Sequence, residues 1–354
     1  MSDQPSVYDP AWTGVIDAHV HVFSDPIGDF ADFSQKWTGL DRANWNQLKS
    51  SARTLTSPVF NLLHRAYVGL RHFPGAVRFG VEELGALAPA PALLVESSFT
   101  DLISSMDEQG VRGAVLIAHP PFLSNATVLQ LASAYPDRIV PALNFSRLGS
   151  GDKDGAVRDF REAINETQGR LLLKIHAAAD GEPATSELYQ GLLELASEFS
   201  VPVILHTGCL QAHLIHRNPS HGNPARFRGW FADFPRTQFI LAHMNMHEPS
   251  VALELGEEFE NIFVDTSWQP AEVIGEAVRR IGAKRVLFAS DWPLLGGNQK
   301  VAMRRLEEAH SAGYITDAEF ESISSKNLLE ILRTSAQRAR SLLSESEEGG
   351  PNGA

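Results

Sequence analysis

His19 and His21 fall two residues apart in the run Val15-Ile16-Asp17-Ala18-His19-Val20-His21-Val22, a spacing that serves metal chemistry. Successive side chains of an extended strand alternate between faces. The pattern therefore predicts Asp17, His19 and His21 on one face, with Ala18, Val20 and Val22 packed under a helix layer on the other. Imidazoles on the inner face of a sheet would be poorly solvated, and a bound cation would resolve that cost. Alone, His-x-His is equally compatible with hydrogen-bonded core histidines. Groups of the same chemical kind, however, end other apolar runs: Leu-Leu-Leu-Lys174-Ile-His176, Val-Ile-Leu-His206, Phe-Ile-Leu-Ala-His243 and Val-Leu-Phe-Ala-Ser-Asp291. Independent structural causes would scatter polar residues along strands; collection at the strand ends predicts a metal site of imidazoles and carboxylate. Cys209 is the only cysteine, which excludes an internal disulfide and a cysteine-based metal centre.

Elements able to position these groups alternate regularly after residue 100. Helical stretches at Thr100–Gln109, Asn125–Tyr135, Lys153–Glu166, Ser186–Phe199, Pro224–Phe234, Val251–Glu260 and Pro270–Ile281 precede apolar runs at Val111–Ala118, Ile139–Asn144, Leu171–His176, Val201–Thr207, Gln238–His243, Ile262–Ser267 and Val286–Asp291. Pro270 is expected in the first helical turn. With the first strand this makes eight βα units, which predict a TIM-like (β/α)8 barrel in the α/β class. An open doubly wound sheet is the competitor, but no Gly-rich phosphate turn follows any strand. In such a barrel the active site lies at the C-terminal strand ends, where the polar groups collect. Lys174 and His176 share strand parity, so both can face inward.

Three further segments complete the organisation. Residues 1–14 are expected to form an N-terminal arm and 15–340 the barrel. Within the barrel, residues 24–110 form a helical insertion or cap, with a helix near Pro58–Leu70, placed to line or cover a pocket. Helices are expected at Ala302–His310, Asp317–Ser324 and Leu328–Leu343, followed by a flexible acidic tail over 341–354. The cap aromatics Trp37, Trp45, Tyr67 and Phe73 are expected to form its own core.

The chain has 354 residues, 43% hydrophobic and 21% charged, as in globular proteins. Its net charge of −13 argues against a nucleic-acid partner. There is no long apolar run and no basic-then-apolar N-terminus, so neither a membrane span nor a signal peptide is expected and cytoplasm is the default.

The motifs together resemble the amidohydrolase superfamily, in its amidohydrolase-related (amidohydrolase-2) branch of metal-dependent hydrolases and decarboxylases. The resemblance runs from Val15 to about Arg333. It rests on Ile-Asp-Ala-His-Val-His, Pro-Val-Ile-Leu-His-Thr-Gly, Phe-Pro-Arg-Thr-Gln-Phe-Ile-Leu-Ala-His, Leu-Phe-Ala-Ser-Asp-Trp-Pro and the closing Asn-Leu-Leu-Glu-Ile-Leu. It implies that His19, His21, His206 and Asp291 ligate a divalent metal, commonly zinc, with one or two ions per chain. His243 is then a second-metal ligand or a group that polarises the substrate. In the binuclear part of the superfamily a lysine at the position of Lys174 is carboxylated and bridges two metals; its alternative here is a lysine that snorkels outward or pairs with a carboxylate. Relatives with an insertion after the first strand often form homodimers. Met244-Asn245 and Ala177 depart from the family pattern and would reshape the pocket.

The expected chemistry is hydrolysis of an amide, ester or lactone of a small molecule by metal-activated water, with Asp291 as proton carrier. Non-oxidative decarboxylation of a small carboxylic acid, aromatic acids included, is the alternative, and a non-catalytic metal-binding barrel the third. For the substrate side, His176, Arg217, Trp268 and Trp292 are candidates. Arg217 stands with His213, His216, His221, Arg226 and Arg228 in a loop read either as a solvated basic loop or as a carboxylate-binding wall.

Overall fold

The computed structural model describes residues 13–23, 42–84, 90–145, 153–211, 213 and 216–348. Eight parallel strands run in chain order around one sheet: β1 (Val15–Val20), β2 (Val111–Ile117), β3 (Ile139–Leu143), β4 (Leu172–Ile175), β5 (Val203–His206), β6 (Phe239–Ala242), β7 (Ile262–Asp265) and β8 (Val286–Leu287). Backbone bonds from Ala18 N to Phe288 O (2.9 Å), Asp291 N to His19 O (2.9 Å) and His21 N to Trp292 O (2.7 Å) join the last strand to the first. The expected (β/α)8 barrel is thus the observed one.

Two apolar layers follow from strand alternation. Ile16, Ala18, Val115, Leu172, Ile204, Ile240 and Leu287 fill the barrel interior, closed from below by Leu328, Ile331 and Leu332. Val20, Val22, Leu173, Leu205, Leu241 and Phe288 face the surrounding helices. Full burial contributes about 1.5–3 kcal/mol for each such side chain.

The first strand departs from strict alternation. Asp17 pairs with Ala114 but Val20 with Leu116, so three steps of β1 span two of β2. This bulge flips the facing of everything after it. Ala18 therefore lies inside the barrel and not beside Val20 and Val22, and Asp17 does not share a face with the histidines. Instead Asp17 accepts bonds from Ser290 N (2.9 Å), the Ser290 hydroxyl and Gln299 Nε2 (3.1 Å). Burial pushes its carboxyl up to about 7 despite these donors.

Ahead of β2 stand α1 (Arg42–Gly69), α2 (Gly75–Leu84), α3 (Ala90–Val95) and α4 (Phe99–Gln109). The described part of the insertion is helical, and α1 is far longer than the Pro58–Leu70 stretch expected. A capping box at Ser98 and Asp101 starts α4, and Asp101 also takes Lys49 Nζ of α1 at 2.7 Å, tying α1 to α4. Residues 1–12, Trp37 and the Trp45 side chain lie outside the described residues.

Between later strands run α5 (Asn125–Ala134), α6 (Lys153–Thr167), α7 (Ala177–Asp180), α8 (Glu187–Phe199), α9 (Arg228–Asp233), α10 (Pro249–Glu258) and α11 (Ala271–Ile281), then α12 (Asn298–Ser311), α13 (Asp317–Glu321) and α14 (Asn327–Glu348). Pro270 caps α11 and does not enter its first turn. The stretch Pro224–Phe227 is 3-10 before α9 begins. The last helix continues to Glu348, past the expected stop at Leu343 and into the segment expected to be a tail. No helix among the described residues is long and apolar enough to cross a membrane.

The loop after β5 closes where Gly208 N donates to Gly222 O at 2.8 Å. A Cβ on Gly222 would drive into the Gly208 carbonyl oxygen, a backbone atom that cannot step aside. Gly222→Ala is expected to lower stability by about 2–3 kcal/mol, read from urea unfolding, because overpacking against backbone has no rotamer escape.

Candidate metal centre

Three sequence-predicted residues meet at the mouth. His19 Nε2 and His21 Nε2 are 3.2 Å apart, and each lies 3.5 Å from Asp291 Oδ1. They come from β1 beyond its bulge and from the extension of β8, which the closing backbone bonds hold side by side. All three are buried.

Behind them stands Asp265, at the inward-facing end of β7. Its Oδ2 accepts from His19 Nδ1 at 3.0 Å. Its Oδ1 accepts from His243 N (2.8 Å), Ser267 N (3.1 Å) and the Ser267 hydroxyl. Having donated its only proton, that hydroxyl must accept from His243 Nδ1, 2.8 Å away. The network thus assigns the Nδ1–H tautomer to both His19 and His243 and leaves both Nε2 atoms with a lone pair. Burial lowers the pKa of His19, His206 and His243, keeping them neutral and able to ligate.

Burial alone would raise the Asp291 carboxyl, but His243, His21 and His19 outweigh it and hold the group well below the usual range. Trp268 Nε1 donates to Asp291 Oδ2 at 2.7 Å, fixing the carboxylate plane.

His243 reaches the centre by an unusual route. Ala242 faces the interior, so plain alternation would send His243 outward. Instead His243, Met244, Asn245 and Met246 all have positive φ (61°, 47°, 61° and 54°), a left-handed turn that brings the imidazole back. Gln269 Nε2 holds the turn through His243 O (2.6 Å) and Met246 O (2.9 Å). Asp291 and Trp268 also have positive φ (59° and 64°). Strain of order 1–3 kcal/mol per such residue persists only where the surroundings enforce it, and here it gathers at one site.

Lys174 is 2% exposed, with Nζ 3.4 Å from His19 Nε2. Among the described residues it makes no ion pair with a carboxylate, and it does not snorkel outward. Burial pushes it down to about 8.

The other predicted residues are placed differently. His206 stacks on His176 (3.8 Å between centroids) and lies 5.1 Å from the rings of His243 and His216. His176, His206 and His216 offer ligand atoms within 4.8 Å of one another, a group distinct from that of His19, His243 and Asp291. His176 also caps α7, its Nδ1 accepting from Ala179 N at 3.2 Å. Arg217 is exposed beside Gly181, and His213 pairs with Glu83. Trp292, expected at the substrate, is fully buried in the helix-facing layer and donates to Glu96 at 2.7 Å. Since Asp291 faces in, its neighbour must face out.

Trp268 is clamped from the cap: His64 stacks on it at 5.1 Å and Tyr67 meets it edge-on at 5.0 Å. His64 donates from Nε2 to Gly296 O (3.0 Å), and burial lowers its pKa to about 4. The native state therefore binds fewer protons than the unfolded one, so the His64 contribution is complete above about pH 6.5 and lost as pH falls toward about 4. Between about pH 7 and 4.5, urea unfolding of His64→Gln is expected to lose about 2–3 kcal/mol less than the wild type does.

Asp265, Ser267 and Gln269 are site residues that the sequence reasoning missed. Asp265 carried a signal, since Ile-Phe-Val-Asp ends an apolar run as the other motifs do.

A (β/α)8 barrel whose strand ends gather neutral imidazoles around an ionised carboxylate defines a metal-dependent enzyme class acting on small molecules. A family model described as amidohydrolase matches residues 16–333, and the chain belongs to that family. An uncharacterized TIM-barrel protein from Bordetella bronchiseptica is 16% identical, with a TM-score of 0.60 over 91% of this chain and 99% of its own. 5-Carboxyvanillate decarboxylase from Novosphingobium aromaticivorans, complexed with manganese, is 14% identical (TM-score 0.58; 94% and 99% covered). 4-Oxalomesaconate hydratase from Rhodopseudomonas palustris is 16% identical (TM-score 0.55; 93% and 99% covered). At these identities the likeness is one of fold. No curated protein matches the chain by sequence.

Proposed function

We propose that the chain is a metal-dependent hydrolase of a small amide, ester or lactone. The observation that carries this reading is the convergence of His19 Nε2, His21 Nε2 and Asp291 Oδ1 within 3.5 Å of one another. His206 is the fourth ligand in the proposal, because its Nε2 is buried without a hydrogen-bond partner among the described residues. The donor set of imidazole and carboxylate suits zinc, and manganese as well. A divalent ion bound there lowers the pKa of water toward neutrality and polarises a substrate carbonyl.

The chain's own groups do the remaining work. Asp291, ionised and oriented by Trp268, accepts a proton from the attacking water and returns it to the leaving group. His243 presents a lone pair, so as a neutral ring it acts as ligand or base, and it donates to an oxyanion only once protonated. A Lys174 ammonium would compete with a cation for the His19 lone pair, which favours the neutral amine. A neutral amine is the form that adds carbon dioxide and loses a proton to become a carbamate, whose anionic oxygens would help to hold a divalent ion.

Decarboxylation is the second reading. It is favoured by the aromatic rim of Phe23, His119 and Phe122 beside His21 and by a fold neighbour that is a decarboxylase. Metal content per chain, with and without bicarbonate, and product analysis over esters, amides, lactones and aryl carboxylic acids test the proposal. Carbon dioxide release without hydrolysis product would replace the first reading by the second, and full activity after chelation would overturn both.

A further inference from the structure

Tyr67 stands on α1, the long helix of the cap, and not on the barrel. Its ring packs against Trp268 (5.0 Å) and His247 (4.8 Å) and joins the apolar cluster of Met246, Trp268 and Leu295. Those contacts occupy the ring and leave the hydroxyl unused. Its oxygen is shut off from solvent and has no hydrogen-bond partner among the described residues. Leaving a buried hydroxyl unmet is costly, and native structures rarely retain one without a use.

The ring lies between two residues that lead in different directions: Trp268 donates to Asp291 at 2.7 Å, and His247 stands 3.3 Å from Glu82. Glu82 and Arg78 line a cavity with Cys209, Asn245, Met246 and His247. Asn245 Oδ1, in that wall, is likewise buried and unpaired. Tyr67 is therefore the cap's polar contribution between the candidate metal centre and this cavity. Burial first, and then Glu82 and Asp291, hold the phenol protonated, so it keeps a proton to donate at working pH. The same carboxylates would repel an anionic oxygen brought to that spot.

We infer that Tyr67 is a specificity residue that donates a hydrogen bond to an uncharged oxygen of the bound substrate, a carbonyl or hydroxyl, as the substrate lies between Asp291 and the Arg78–Glu82 cavity. This rests on the proposed site and narrows it to neutral substrates. It also gives Tyr67 a chemical role, where the sequence suggested only cap core.

Tyr67→Phe in the metal-loaded full chain tests it, with dihydrocoumarin and chroman as probes. These two differ in the lactone carbonyl, and Trp268 fluorescence reads binding of either. Dihydrocoumarin is expected to bind the wild type more tightly than chroman does. The variant should lose about tenfold in dihydrocoumarin affinity, the scale of one hydrogen bond, and leave chroman unchanged. Its melting temperature should stay level or rise, because no native bond is lost. A fall of several degrees would mean that the hydroxyl has a structural partner and would overturn the inference. Equal dihydrocoumarin affinity in both proteins, or no binding to the wild type, would overturn it as well. Absence of lactone hydrolysis with the affinity difference intact would overturn the hydrolase reading and leave the Tyr67 contact standing.

Discussion

Asp291→Asn is expected to lower kcat/KM by about a thousandfold or more while the fold survives. Proton transfer by a placed carboxylate supplies about 10²–10⁴-fold, and the same substitution removes the only anion in the inner group. The amide is nearly isosteric and still offers Trp268 an oxygen, so the bond at 2.7 Å can persist. Because the surrounding imidazoles favour the ionised form of this buried carboxylate, the neutral amide is expected to lower the melting temperature modestly in the absence of metal. Circular dichroism and melting in chelator, set beside turnover and metal content with metal restored, separate the cases. A variant that turns over at wild-type rate would remove Asp291 from the chemistry. A variant that melts far below the wild type in chelator would make the carboxylate a structural group first.

Asp265→Asn is expected to weaken metal binding by about 10–100-fold without removing a ligand, the usual effect of losing a group that orients one. The carboxylate accepts on both oxygens: from His19 Nδ1 on one, and from two backbone N–H groups and Ser267 on the other. An amide has one acceptor oxygen. If it serves the backbone donors, its NH2 faces His19 Nδ1 and pushes that ring toward the opposite tautomer, with the proton on Nε2 where the ion should sit. Competition against a metallochromic chelator measures the loss. Unchanged affinity would mean that the Asp265 bonds serve the loop alone.

Much of the site was legible because strand ends are predictable. A short apolar run followed by one polar residue fixes both position and facing, and that logic placed His19, His21, Lys174, His206 and Asp291 at the mouth. It failed wherever backbone left the regular strand. The β1 bulge moved Asp17 to the outer layer, and the left-handed turn at His243 cannot be read from Ala-His-Met-Asn-Met. Trp292 could have been assigned from sequence, since parity with Asp291 sends it outward. Asp265 was overlooked because it binds protein and not the centre, so only its bonds to the His19 imidazole and the His243 backbone make its role visible. The barrel itself followed from eight repeated units, while the cap, with no such period, yielded only its helical character.

The backbone bond from Asp291 N to His19 O has a temporal consequence. The inner ligands come from opposite ends of the domain, so a ribosome-bound chain already carrying both histidines still lacks the oxygen that completes their set. An ion held there would act as a clasp between the first-made and last-made strands. At free ion a hundredfold above its dissociation constant, it would stabilise the closed ring by about 2.7 kcal/mol. Cells starved of that ion would then hold a barrel more ready to part at this one seam.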